Sequence, residues 1–200
     1  PFDEAAVFRG SFECSYHALV QGARVQPGDK VLVLGAAGAI GQAAVQIASA
    51  LGARVLASAS NETKRELALR AGAHAAIDTH AEDWRAQVRD WAGPAGLDVV
   101  VDPVGGAATE RAFRAMGYFG RHLVIGFAAG SIPSLPVNLA LLKGASLVGV
   151  ELSKFEQRFP QLAAANSRAL INLHARGAIR SPFIAHRFPF QRFRDAPALA

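Results

Sequence analysis

The stretch VLVLGAAGAIGQAAVQIA, residues 31–48, places Gly38 and Gly41 three apart, between an apolar β-branched run and a helix built of small residues. That spacing suits the binding of a pyrophosphate. A glycine at 38 lets the backbone approach the anion, one at 41 lets helix and strand pack closely, and the helix N-terminus offers unpaired N–H groups from Ala39 and Ile40. Ala36 stands where the dinucleotide fingerprint carries its first glycine, so the pattern is one glycine short. Such a stretch also serves as a plain tight turn in α/β proteins. A strand before it, a helix after it and a second strand about 20 residues on favour the nucleotide.

The end of that second strand selects between dinucleotides. A carboxylate there would take the ribose 2′-hydroxyl of NAD, but RVLASASNETKRELA, residues 54–68, offers Ala59 flanked by Ser58 and Ser60, then Lys64 and Arg65. Hydroxyls beside an ammonium suit a 2′-phosphate, so NADP is the expected cofactor. The competing use of Lys64 is a solvated lysine on a helix face.

These residues need a scaffold, and the chain supplies one. Short apolar runs at 31–35, 54–58, 75–78, 98–102, 122–126 and 146–150 each end in Gly, Asp, Ser or Val, as buried strands do. Helical spacing marks 38–51, 61–71, 80–91 and 106–115 between them, a longer helix is predicted over 155–176, and FIAHRFPF at 183–190 reads as a late strand. The alternation predicts an α/β fold, a doubly wound parallel sheet of about six strands.

Composition narrows the function classes. The chain has 200 residues, 51% of them hydrophobic, enough for one full core. No apolar run reaches membrane-helix length, so no membrane partner is expected. The net charge of +5 is dispersed without a basic tract, which speaks against nucleic acid. A lone cysteine, Cys14, has no disulfide partner within the chain and no zinc-type spacing; with no signal-like segment, the expected setting is the cytoplasm and the expected metal none.

At this level of detail the chain resembles a known family. SYHALV, PGDKVLVLGAAGAIGQAAVQIASALGARVLASAS, RAGAHAAID, GLDVVVDPVGG, GRHLVIGFAAGSIP and NLALLKGASLVGV follow, in order, the zinc-independent NADPH:quinone oxidoreductases of the medium-chain dehydrogenase/reductase superfamily. The resemblance covers nearly the whole chain. It implies a Rossmann sheet that binds NADPH (NADP) and donates hydride to a small-molecule quinone or other enone. It also implies an additional GroES-like catalytic domain, so the expected organisation is a helical lead-in over 1–28, a Rossmann NADP-binding domain over 29–152, and a C-terminal helix and strand over 153–200 returning to that catalytic domain. By itself the segment is expected to bind cofactor with little turnover, and no catalytic residue is assigned within it.

Residue by residue, the family's phosphate turn falls on Ala36, Ala37, Gly38, Ala39, Ile40 and Gly41, with Ser60 and Lys64 toward the 2′-phosphate. Thr79 replaces the family's tyrosine after the third strand. Val104 and Gly105, and Gly126 and Phe127, match the loops expected near the nicotinamide. Cys14 occupies the place of a threonine that approaches the ring, and Gly10 stands where zinc-dependent relatives carry a cysteine ligand. Tyr16 and His17 suit acid–base roles or, more simply, packing. The family also implies a homodimer through the edge strand near residues 145–151. Two other readings remain: an enoyl-reductase module of a fatty-acid or polyketide synthase, and a non-enzymatic NADPH-binding protein of sensor or crystallin type.

Overall fold

A computed structural model describes residues 2–192 of the chain. Helix α1 (Phe2–His17) runs into a π-helical turn at Ala18–Gly22, and then strands and helices alternate: β1 (Lys30–Leu34), α2 (Ala39–Ala50), β2 (Arg54–Ala59), α3 (Glu62–Arg70), β3 (Ala75–Asp78), α4 (Trp84–Ala92), β4 (Leu97–Asp102), α5 (Ala107–Ala115), β5 (Met116–Val124), α6 (Asn138–Lys143), β6 (Ser146–Gly149), α7 (Leu152–Arg158) and α8 (Pro160–Ala175). The six strands form one sheet in the order β3-β2-β1-β4-β5-β6, every neighbouring pair parallel. The expected doubly wound α/β sheet is present.

Alternation along each strand sends side chains to two cores. Val31, Val33, Val55, Ala57, Val99 and Val101 face α2, α1 and α8, where Phe12, Ile47 and Leu170 are buried. Leu32, Leu34, Leu56 and Val100 face the other way, onto Trp84, Val88 and Phe113 of α4 and α5. Alanines 43, 44 and 48 keep α2 close to the sheet, and that proximity brings its N-terminus to the end of β1.

Three elements differ from expectation. The helix over 155–176 is two helices, because Pro160 has no N–H to continue α7 and instead opens α8 at its first position, with Phe159 at φ −130°, ψ 57° between them. Strand β5 begins at Met116, ahead of the run at 122: Met116 pairs with Leu97, and the register then jumps so that Val99 meets Arg121. The intervening Gly-Tyr-Phe bulges out, with Phe119 at φ 61°. The late strand over 183–190 does not form: Pro182 stands just before the run and Pro189 within it, and neither has an N–H to give to a ladder. The chain there leans on α2 instead: the Arg180 N–H donates to Gln46 Oε1 (2.7 Å) and the Phe183 N–H to Gln42 Oε1 (2.9 Å). The predicted C-terminal part beyond residue 192 lies outside the described residues.

Candidate functional site

Strand order reverses between β1 and β4, which opens a crevice at the carboxyl ends of the strands. A cleft of about 820 Å³ lies there. Its floor is the glycine turn. Gly35 leaves β1 at φ 57°, where a Cβ would come within 2.9 Å of Val104 Cγ2, so the sharp turn assigned to a missing fingerprint glycine is made one residue earlier. Ala36 is fully buried and its N–H reaches Ser58 O (3.1 Å), locking the turn to β2. Gly38 caps α2, and a Cβ on Gly41 would sit 2.2 Å from Gly35 O. The N–H groups of Ala39, Ile40 and Gly41 therefore open α2 with no acceptor in the preceding turn of helix, facing a space that backbone alone has cleared.

The second wall comes from β2, α3 and the end of β3. Ala59, Ser60, Lys64, Thr79 and His80 line it, and among the described residues no carboxylate lines the cleft. The Asn61 side chain caps α3 by accepting the Lys64 N–H (2.9 Å), which fixes Lys64 in the first helical turn. Arg65 turns away: it pairs with Glu62 (2.6 Å) and Asp78 (2.8 Å). The His80 N–H and the Arg65 guanidinium hold the Asp78 carboxyl below its ordinary range against some desolvation. Among the described residues Lys64 has no ion-pair partner. Thr79 is tied inward, its hydroxyl 3.0 Å from Ser58 Oγ, which also accepts from the Trp84 indole (3.1 Å).

The third wall is the loop after β4, held by a buried carboxylate. Asp102 Oδ1 accepts the N–H groups of Val104 (2.9 Å) and Gly105 (2.8 Å), while Oδ2 accepts from Thr109 Oγ1 (2.6 Å) and lies 3.0 Å from His122 Nε2. Burial pushes the Asp102 carboxyl upward, but hydrogen bonds from His122, Gly105 and Thr109 outweigh it and hold the group below its ordinary value. Pro103 and Val104 line the cleft; the loop after β5 closes beside them through Ala128 N–H to Pro103 O (3.2 Å) and Ala129 N–H to Val104 O (2.9 Å).

Ala37, Gly38, Ala39, Ile40, Gly41, Ser60, Lys64, Thr79 and Val104 thus come together around one cleft. Gly105, Gly126 and Phe127 stand behind it: Gly126 packs on Pro103 O, and a Cβ on Gly105 would meet the Phe127 ring at 2.9 Å. Cys14 is half-buried on α1 and does not line the cleft; burial and then the Glu151 charge push its thiol up, so it is protonated at neutral pH. His17 stacks on Phe155 with ring centroids 3.9 Å apart, a packing role. The sequence reading missed Gly35, His80, Pro103, Ala128 and Ala129 as wall residues. Gly35 was visible as the residue ending the apolar run, and His80 as the neighbour of Thr79; the alanines carry no chemical signal.

A second cavity, about 540 Å³, lies at the opposite end of the sheet and is lined by Arg85, Arg89, Arg114 and Lys143. It is not an anion site of the same kind. Arg89, Arg114 and Lys143 sit in the last turns of α4, α5 and α6, where cations complement the negative helix ends, and Lys143 Nζ donates to Met116 O (2.8 Å).

The sheet order, the glycine turn and the cleft define a Rossmann-type dinucleotide-binding domain, and the residues present fit such a ligand. Comparison with known proteins gives the family. Residues 39–168 match the zinc-binding dehydrogenase family. Bovine quinone oxidoreductase-like protein 2 is 37% identical over 195 residues, 96% of this chain and 55% of its own length. The structure of Escherichia coli quinone oxidoreductase complexed with NADPH superposes with a TM-score of 0.84 at 25% identity, over 92% of this chain and 56% of that one. A putative enoyl reductase domain of a polyketide synthase superposes with a TM-score of 0.74 at 26% identity, over 88% of this chain and 97% of that one. The chain belongs to the zinc-binding dehydrogenase family, as a cofactor-binding domain of the quinone-oxidoreductase type in the medium-chain dehydrogenase/reductase superfamily. It spans about half the length of the curated relatives it matches. Among the described residues no group of three His, Cys, Asp or Glu side chains is placed to hold a metal, and no helix is long and apolar enough to cross a membrane.

Proposed function

We propose that the cleft binds NADPH and that the chain is the cofactor half of a zinc-independent, cytoplasmic reductase acting on a quinone or another α,β-unsaturated carbonyl. The observation that carries the cofactor choice is Lys64. A lysine in the first turn of a helix works against the macrodipole. Beside Ser60, in a cleft with no carboxylate among the described residues, that cation and the α3 N-terminus together suit a 2′-phosphate. The open N–H groups of α2 would take the pyrophosphate, and the Pro103–Val104 and Ala128–Ala129 loops would flank the nicotinamide half. Bound there, the reduced nicotinamide supplies the hydride; the chain's part is to orient it and to keep water from that side of the ring. Cys14, placed on α1, is proposed to act no closer than the edge of that site.

Homodimerisation through β6 is part of the same proposal. One edge of β6 pairs with β5, and the other has no partner among the described residues. Leu147 on the strand is 52% exposed, and Leu141 and Leu142 of the adjoining α6 are 82% and 73% exposed, an apolar edge that a second copy would cover.

A second reading, an enoyl-reductase domain, is favoured by the match that fills 97% of the polyketide-synthase domain. The two differ in acceptor. NADPH oxidation by the protein carrying this chain, followed at 340 nm with 1,4-benzoquinone and with a crotonyl thioester, is expected to be faster with the quinone. Preference for the thioester selects the second reading, and oxidation with neither acceptor removes both.

A further inference from the structure

Buried behind the nicotinamide wall is a polar pair that the cleft residues do not include. Asp102, 1% exposed, ends β4; His122, fully buried, lies on β5, and the two meet at 3.0 Å. With both carboxylate oxygens accepting, Asp102 is ionised and His122 must present Nε2–H. The other ring nitrogen, Nδ1, has no partner among the described residues, and neither protonation state of the ring repairs that. A leucine would fill the strand position without an orphaned atom. A buried unpaired nitrogen costs stability, so its presence points to a requirement for the hydrogen bond made on the other side of the ring.

We infer that His122 is a positioning residue: by fixing the Asp102 carboxylate, it sets the Val104–Gly105 backbone at the height at which the nicotinamide half of the cofactor is held. The chain of contacts is short. His122 and Thr109 grip Oδ2, while Oδ1 grips the N–H groups of Val104 and Gly105; Val104 then lines the cleft and packs against the Gly35 turn. Removal of one grip on Oδ2 frees the carboxylate to rotate about Thr109, and the loop follows. The adenosine half, bound between Ser60 and Lys64, lies on different elements and does not feel the change. This inference rests on the NADPH reading.

The test compares two ligands on the protein carrying this chain: NADPH, and adenosine 2′,5′-bisphosphate, which carries the 2′-phosphate but no nicotinamide. For His122→Leu the expected result is NADPH binding weaker by about fivefold, the equivalent of one lost hydrogen bond, with adenosine bisphosphate affinity within about twofold of wild type. His122→Gln, whose amide can donate from nearly the same place, is expected to recover most of the loss. Thr109→Val removes the companion donor to Oδ2 and should reproduce the split; it serves in place of His122→Leu if that variant does not fold. Equal changes for the two ligands, no change for either, or failure of glutamine to recover the loss overturns the positioning role. Absence of binding of either ligand to the wild-type protein overturns the NADPH reading itself, and this inference with it.

Discussion

Replacement of Lys64 by alanine separates cofactor choice from stability. In the free chain the ammonium sits in the first turn of α3, exposed and without an ion-pair partner among the described residues, where the helix dipole opposes it. Its removal should therefore leave the free energy of urea unfolding unchanged or raise it, by up to about 0.5 kcal/mol. Binding moves the other way. A hydrogen bond to a charged group contributes about 1.5–3 kcal/mol, and solvent screening at an exposed lysine places this one at the lower end. A loss of about 1.5 kcal/mol corresponds to roughly a tenfold rise in Kd for NADPH, whereas NADH, which has no 2′-phosphate, should change less than twofold. Titration of nicotinamide fluorescence with each cofactor, at about 0.1 M salt and again at about 0.5 M, reads both numbers; the gap between wild type and variant should shrink at the higher salt. Lys64→Arg should keep most of the preference. Equal losses for the two cofactors, or none for NADPH, would refute the assignment of the 2′-phosphate to this lysine.

Three further outcomes are expected. Gly41→Ala forces a methyl to 2.2 Å from Gly35 O and 2.7 Å from Ala36 Cα, both backbone, so α2 must retreat; a loss of about 2–3 kcal/mol in urea unfolding and of binding to NADPH and NADH alike is expected, and an unchanged midpoint would contradict the close packing. Leu147→Glu places like charges across the β6 edge and should convert the proposed dimer to monomer in sedimentation equilibrium; an unaltered mass, dimeric or monomeric in both proteins, counts against that interface. Asp102 is held below its ordinary value, so its contribution is fully present above about pH 4 and is lost as pH falls through the lower folded value. Urea midpoints for wild type should accordingly drop below about pH 4, and Asp102→Asn, weaker by about 3 kcal/mol at neutral pH, should show a smaller acid decline.

The strands of the sheet were legible because a parallel sheet covered on both faces demands unbroken apolar runs, and runs such as VLVLG and DVVVD have no other comfortable place. The start of β5 was hidden for the same reason in reverse: Met-Gly-Tyr-Phe-Gly reads as a turn, and only the closeness of Ala95 O, 1.9 Å from where a Gly117 Cβ would lie, explains glycine there. Periodicity carried a helix straight through Pro160, and the late strand read over 183–190 is broken by Pro189, which cannot donate to a ladder. In the cleft, Ser60 and Lys64 could be found because one strand end and one helix turn bring them together locally. Ala128 and Ala129 could not, since their place depends on the β5 loop closing on the β4 loop. His122 was concealed inside HLVIG, an ordinary buried strand, and its partner lies 20 positions earlier in the sequence.

The strand order also bears on how the chain acquires its shape. β1 is synthesised well before β4, yet it ends at the centre of the sheet, with Val31 paired to Val55 on one side and Val99 on the other. At a synthesis rate of about 5–20 residues per second, the second side stays open for several seconds after β1 has emerged. During that interval the β1–β2–β3 half is a three-stranded sheet whose open edge is its most apolar strand. Until β4 arrives, the Val31–Val33 edge is open to pairing with another chain, a hazard set by topology alone.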